Sequence, residues 1–381
     1  MFRSPYHSFR SLALGMLLPA ALAREPFPTA SRWWDLGHRV VARLAELRLT
    51  PHTRDAVRNI LGGQDLAQAS MWADNIRQYR HDADRLHYVN IPLPDSVYLP
   101  ERHCRGGRCI IAAIEHDRQV LANPAAAPED RAEALRFLIH FVGDLHQPLH
   151  VADNSDRGGN RRIVYLLGDS TNLHAVWDGA MIERVGVSES EYFDELRRQM
   201  DSLDLPALER GTVVDWAMEG HRIAVEHAYR LPRGGRIGQA YVQANRPIID
   251  HALIAAGVRL AKVLNDALVN YQPTSTRAMS LGPEIYPDRE AAAHVGETAT
   301  VVGTVAGIFR SKKGNVFLNF GADYPRQTFT AVALEPTGGW TEGLDSLVGR
   351  RVGVRGAIVT YRGRVEIVLD GPEQIVPPPP P

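Results

Sequence analysis

"HFVGDLHQPLH", residues 140–150, decides how this chain is read. It closes a longer run, "PEDRAEALRFLIHFVGDLHQ" over 128–147, in which Leu135, Leu138, Ile139, Val142 and Leu145 recur at helical spacing. Pro128 and the acids after it open the helix. Phe137, His140, Phe141 and Asp144 fall on another face. The helix is therefore apolar nearly all round, and that second face should be buried as well. A carboxylate inside a core is costly unless it is paired or holds a cation. His140 and Asp144, four residues apart, can grip one cation from one face of a helix. Pro148 ends the helix, so His150 can swing onto an adjacent position.

The same spacing recurs in "NLHAVWDG", where His174 and Asp178 flank Trp177 as a packing residue. Upstream, "SMWADNIRQYR" carries Asp74 and Arg77, "RLHYVN" carries His87, and "WWDLGHRVVARL" places His38 near the start of a first helix. One His-Asp pair at this spacing is ordinarily a helical hydrogen bond. Two of them among apolar residues, one continuing to His150, point to metal. The donors are nitrogen and oxygen only, which excludes a thiolate structural site and favours hydrolytic Zn²⁺. His146 lies on a different face and reads as structural, whereas His52, His81, His103 and His116 read as surface residues. The adjacent pairs His81-Asp82 and His116-Asp117 would suit an HD-type phosphohydrolase, but both sit in polar surroundings.

The 381 residues allow two or three domains, and 44% hydrophobic with 23% charged residues is ordinary for a soluble protein. A net charge of −1 provides no broad basic field, so positive charge for an anionic substrate must be local. The start, "MFRSPYHSFR" then "SLALGMLLPAALA", has the basic and apolar regions of a cleavable export signal with Ala21-Leu22-Ala23 as the cleavage site. Its apolar stretch is shorter than the roughly 20 residues a membrane span requires. Residues 1–32 are thus assigned to a signal peptide and leader, and the protein to the periplasm or the medium, with no span in the mature chain. The two cysteines, in "CRGGRC", fit a small loop closed by a Cys104–Cys109 disulfide.

Of 15 histidines only His294 lies beyond residue 277, which confines histidine chemistry to the first part. Residues 33–272 read as mostly helical, with further helices in "HRVVARLAELRL" (ended by Thr50-Pro51), "VSESEYFDELRRQMDSL" and "RPIIDHALIAAGVRLAKVLNDALVNY". Residues 273–287 read as a linker. Five β-branched, aromatic segments between residues 297 and 370 then predict a small β-barrel over 288–377, and 378–381 a proline tail.

The set "WWDLGH", "WADNIR", "LHYVN", "HFVGDLHQPLH", "DRGGN" and "NLHAVWDG", in that order, resembles the nuclease S-one/P-one family of zinc-dependent single-strand nucleases, whose fold bacterial zinc phospholipases C share. The resemblance covers roughly residues 33–270. It implies a helical domain with three Zn²⁺ ions: one held by Asp74, His87, His140 and Asp144, a second by His150, His174 and Asp178, and a third by Trp33, His38 and the bridging Asp144. In the family the tryptophan is the mature N-terminus and binds through its amine and carbonyl. Here Ser31-Arg32 precede it, a poor signal-peptidase site, and an amide nitrogen is no useful ligand because its lone pair is delocalised. The resemblance also implies catalytic roles for Asp74, which orients the nucleophile, and Arg77, which binds phosphate with Asn172. Substrates would be single-stranded DNA and RNA and nucleotides, with 5′-phosphate products and 3′-nucleotidase activity alongside, from a monomeric enzyme. Tyr88 offers a stacking surface for a base, and Asn90 stands where many relatives carry aspartate, a change from pure acceptor to donor and acceptor.

Residues 288–377 resemble the OB-fold domains found attached to nucleases, on "VFLNFGADYPRQTFTAV" and "GRRVGVRGAIVTYRGRVEIVL". Phe317, Phe320, Tyr324, Phe329 and Tyr361, with Lys312, Lys313, Arg326 and Arg362, are the groups from which a nucleic-acid surface would be drawn, and barrel aromatics more often form core. Two rival readings stand beside the nuclease: a zinc phospholipase C-type phosphodiesterase with a lipid headgroup pocket, and a non-enzymatic single-strand binder whose metal is only structural.

Overall fold

The computed structural model describes residues 33–381 except 78–79, 184–187, 273–284, 313, 335–339, 362, 370 and 379–381. The signal-peptide and leader assignment (1–32), most of the expected linker and the end of the proline tail lie outside the described residues. Helix α1 spans Trp33–Glu46. Thr50-Pro51 does not end it but starts the next helix, α2 (Pro51–Ile60): Thr50 Oγ1 accepts the Thr53 N–H at 3.1 Å, and proline sits in the first turn where its missing N–H costs nothing. The sequence signal was a helix start rather than a stop.

The opening stretch forms α3, Pro128–Leu145, and its second face is indeed buried, from Phe137 through His140, Phe141 and Asp144. A short turn, Pro148–His150, follows directly. Helix α4 (Glu189–Met200) is fixed by a capping box in which Ser188 and Glu191 satisfy each other's backbone donors. The last helix, α5 (Gln239–Ala267), begins seven residues before the expected Arg246 and carries Pro247 in its interior. Buried Tyr241, Asn245 and Ile249 anchor it on both sides of that proline. Among the described residues no helix is long and apolar enough to cross a membrane.

The helical region also contains strands that the helical expectation did not include. β1 (Ile163–Leu166) pairs antiparallel with β2 (Asp169–Asn172) and parallel with β3 (Arg236–Ile237). β2 runs straight into the turn that carries His174. A single buried cluster, from Val40 to Tyr271, holds these elements together. Cys104 and Cys109 form the expected disulfide.

From residue 285 the chain is β-rich. All five expected strands are present: β5 (Thr298–Arg310), β6 (Val316–Phe320), β7 (Phe329–Ala333), β8 (Arg351–Tyr361) and β9 (Arg364–Leu369). The expected linker overran: its last three residues form β4 (Ile285–Pro287), parallel to β5. A short β10 (Ile375–Val376) adds to β8. These strands form a seven-stranded sheet in the order β10-β8-β9-β7-β6-β5-β4, and β8 pairs with β5 as well. Five strands, β5-β6-β7-β9-β8, thereby each have at least two neighbours. Their alternate residues, including Val301, Leu318, Phe320, Phe329, Ala331, Val354 and Ile367, make a second core.

Candidate metal centre

Histidine orientation is set by backbone carbonyls. His140 Nδ1 donates to the Ser70 carbonyl at 2.7 Å and His174 Nδ1 to the Gly158 carbonyl at 2.8 Å. His150 Nδ1 lies 3.1 Å from the His87 carbonyl. A carbonyl can only accept, so each bond puts a proton on Nδ1 and aims Nε2 inward, the arrangement that prepares an imidazole for a cation. Gly158 is needed for this: its φ is +58°, and a Cβ there would meet the Leu149 carbonyl at 2.4 Å. That gives the "DRGGN" motif a local purpose. The segment after His87 is tied to the one after His150 by Val89 N–H to His150 O (2.8 Å) and Asp153 N–H to Ile91 O (2.9 Å).

Asp144 is where the pieces meet. Its Oδ2 lies 2.9 Å from His87 Nδ1 and 3.1 Å from His140 Nε2, while Oδ1 lies 3.4 Å from His38 Nε2 and 3.2 Å from His150 Nδ1. Asp74 Oδ1 is 3.8 Å from both His87 Nδ1 and His140 Nε2. His38 stacks on His140 with ring centroids 3.8 Å apart, and Gly143 makes room for it, since a Cβ there would come within 2.7 Å of His38 Nδ1. On the other side, Asp178 lies 3.5 Å from His150 Nε2 through Oδ1 and 3.1 Å from His174 Nε2 through Oδ2.

Three groups result, each with donor atoms mutually within 4.8 Å: His38, His140 and Asp144; Asp74, His87 and His140; His150, His174 and Asp178. Donor spacing supports a cation in each, and an orphaned oxygen supports the third as well. Donors bound tetrahedrally at about 2.0–2.2 Å from a shared ion stand roughly 3.3–3.6 Å apart, close to the spacings above. Asp178 Oδ2 is buried without a hydrogen-bond partner while standing 3.1 Å from His174 Nε2, an orphaned acceptor that a cation would satisfy. His38 Nδ1 and His87 Nε2, the ring nitrogens turned away from Asp144, are also buried without a hydrogen-bond partner and add nothing to that test.

The electrostatics agree. Burial works against the charge on Asp144, yet His140 and His150 beside it hold its carboxyl well below the usual range. Burial would discharge His140 and His150, but Asp144 with Asp74 raises the first to about 9, and Asp144 with Asp178 raises the second to about 10. Burial lowers His38 and His87. Protons on His140 and His150 thus balance the carboxylates of the protein alone, and a cation bound here would displace them.

Around the centre, Arg77 donates to Asp74 Oδ1 (3.3 Å) and Asp84 Oδ1 (3.4 Å). Asn172 Oδ1 caps the turn carrying His174 by accepting the Ala175 N–H at 2.8 Å, which commits its carbonyl and leaves its amide donors. Tyr88 is half-buried and Asn90 exposed, directly after His87. Trp33 opens α1, but its side chain lies outside the described ones. Sequence reasoning missed Gln147, whose Nε2 donates to Asp178 Oδ1 while its Oε1 accepts the Leu149 N–H, linking Asp178 to the turn that presents His150. Its place in "HQPLH" was the available signal.

Two surface expectations are corrected. The His103 side chain is 1% exposed: it donates to Asp95 through Nε2 and accepts the Leu99 N–H through Nδ1, which locks the 95–103 loop. Asp117 does not sit in polar surroundings; it is buried against Glu133, and burial pushes its carboxyl up to about 8. His146 is structural as expected, held between Val142 O and Arg259.

A family profile described as S1/P1 Nuclease matches residues 33–269. Endonuclease 2 of Arabidopsis thaliana is 31% identical over 272 residues, 62% of this chain and 91% of its own length. Nuclease P1 of Penicillium citrinum is 28% identical over 61% of this chain and 97% of its own, and Nuclease S1 of Aspergillus oryzae 28% identical over 64% and 93%. Each match spans most of the relative and leaves part of this chain uncovered.

Proposed function

The chain belongs to the S1/P1 nuclease family and is a nuclease, a hydrolase of phosphodiesters; from that premise we propose that it is a zinc-dependent endonuclease cutting single-stranded DNA and RNA to 5′-phosphate products, with 3′-nucleotidase activity. The observation that carries this reading is the convergence of three nitrogen–oxygen donor groups on and beside Asp144. Asp74, His87, His140 and Asp144 would hold one Zn²⁺, His150, His174 and Asp178 a second, and His38 with Asp144 and the Trp33 backbone a third. Zinc lowers the pKa of bound water toward neutrality and offsets the phosphate's charge.

The chain's own groups do the rest. Asp74, held below its usual pKa chiefly by His140 in spite of burial, stays ionised and accepts a hydrogen bond from the attacking water. Arg77 gives up part of its pairing with Asp74 and Asp84 to meet a phosphate oxygen in bidentate fashion. Asn172 directs an amide N–H at the same phosphate. Tyr88 stacks a base and Asn90 reads its edge by donating as well as accepting. The pairing of strands β5–β9, with β7 parallel to β9 and β8 returning to β5, supports reading 288–377 as an OB-like module after a nuclease domain over 33–272. Residues 1–32 direct export to the periplasm or medium, and the mature protein acts as a monomer.

The test is metal analysis of the purified protein with mass spectrometry of its N-terminus, and cleavage of single-stranded DNA, duplex DNA and phosphatidylcholine. Three zincs and hydrolysis confined to the single strand are expected. Hydrolysis of phosphatidylcholine in preference to DNA would overturn the assignment.

A further inference from the structure

The barrel aromatics separate once exposure is known. Phe320 and Phe329 are core, 0% and 1% exposed, and pack edge to face. Tyr324 is 61% exposed, in the loop between β6 and β7. Arg364, at the start of β9 after the turn from β8, lies over its ring at 4.4 Å and donates to its hydroxyl at 3.2 Å. The β6–β7 loop and the start of β9 therefore bring an aromatic face and a guanidinium together. Arg326, two residues after Tyr324, is exposed as well.

Neither arginine pairs with a carboxylate among the described residues. Asp323, the acid closest in sequence, has its carboxylate in the space that a side chain at Gly307 would fill. The Arg326 N–H closes the loop onto Asp323 O at 2.8 Å. The patch is thus an exposed aromatic ring with the Arg364 guanidinium over one face and Arg326 two residues along the same loop, neither arginine ion-paired among the described residues.

We propose that Tyr324, Arg364 and Arg326 form an accessory platform for single-stranded nucleic acid: a base stacks on Tyr324 and the two guanidiniums meet adjacent phosphates. A duplex hides its base faces, so the platform selects unpaired strands. Because it sits on the strand-rich part and not among the metal-ligating groups, it contributes tethering: a strand held here is presented to the centre at raised effective concentration. The inference rests on the single-strand nuclease reading and specifies how a long substrate is held.

The experiment uses the full-length, metal-loaded protein. Tyr324→Ala and Arg364→Ala should raise KM for a 20-nucleotide single strand by about 5- to 20-fold, the order of one lost base–aromatic stack, and leave kcat and KM for a dinucleotide unchanged. Tyr324→Phe should behave as wild type. Removing both arginines should also flatten the salt dependence of 20-mer binding, by about 0.7 per charge. Unchanged 20-mer kinetics would overturn the platform, and so would equal losses on both substrates, which would mean damage to the fold. If wild type cleaves no single strand at all, the nuclease reading fails instead. Fluorescence anisotropy of a labelled 20-mer in chelator then decides the platform alone: weaker binding by Tyr324→Ala supports it and equal binding rejects it.

Discussion

Asp144 shows what a single side chain can decide. Its two oxygens face different histidines, His87 and His140 on one side and His38 and His150 on the other. An amide cannot copy this, since asparagine has one accepting oxygen and a donating nitrogen. Asp144→Asn should therefore lose at least one metal by elemental analysis and cut kcat/KM by roughly 10³-fold or more, as when one member of a set acting as a unit is removed. Gln147 works one step back, through Asp178 and the turn before His150. Gln147→Ala should weaken zinc at that group by about 10- to 100-fold in a chelator-competition titration while the other two groups keep theirs. The difference between these residues explains what the sequence disclosed. Histidines and acids at helical spacing announce themselves, because few other roles need them in an apolar helix. Gln147, Ser70 and Gly143 act through a carbonyl, an amide or an absent side chain, which no residue type signals without the fold.

Helix α3 carries a comparable lesson at the next scale. Its ends and its buried second face were legible because proline, acidic first turn and hydrophobic period all agree. Its neighbour, Ile110–Ala122, hid more: the run "IEHDRQ" looks polar, yet Asp117 faces inward toward Glu133. Burial raises the Asp117 carboxyl to about 8, so the folded chain keeps a proton that the unfolded chain releases near pH 4. The sign follows: the stability from this bound proton is full below about pH 4 and is lost as pH rises toward 8. Asp117→Asn removes the titration, and its urea midpoint should exceed that of wild type at pH 8 by the equivalent of roughly 1–5 kcal/mol, with little difference at pH 4. An equal gain at both values would point to packing instead. The strands β1 to β3 and β4 escaped the sequence reading for another reason. They run only two to four residues, too short for a period of two to stand out beside helices or a linker rich in turn residues.

The molecule as a whole has two buried cores, one over residues 40–271 and one over 291–369, and among the described residues every candidate metal-binding group lies with the first. Those groups come from α1, the short helix Trp72–Ile76, the His87 turn, α3, the Pro148–His150 turn and the turns carrying His174 and Asp178. A bound cation would therefore cross-link elements far apart in sequence, whereas among the described residues no comparable donor group lies on strands β5 to β9. A ligand that binds only the folded state stabilises it in proportion to the logarithm of its concentration over Kd, so chelation should act unequally. Hydrogen exchange read by mass spectrometry on metal-loaded and EDTA-treated protein should show faster exchange at 70–91 and 140–178 after chelation. Exchange at 298–310 and 351–369 should stay the same, because those amides are held by strand pairing around a core of apolar side chains. Loss of protection throughout both regions would show that the two cores unfold as one cooperative unit and that the metal centre stabilises the entire chain.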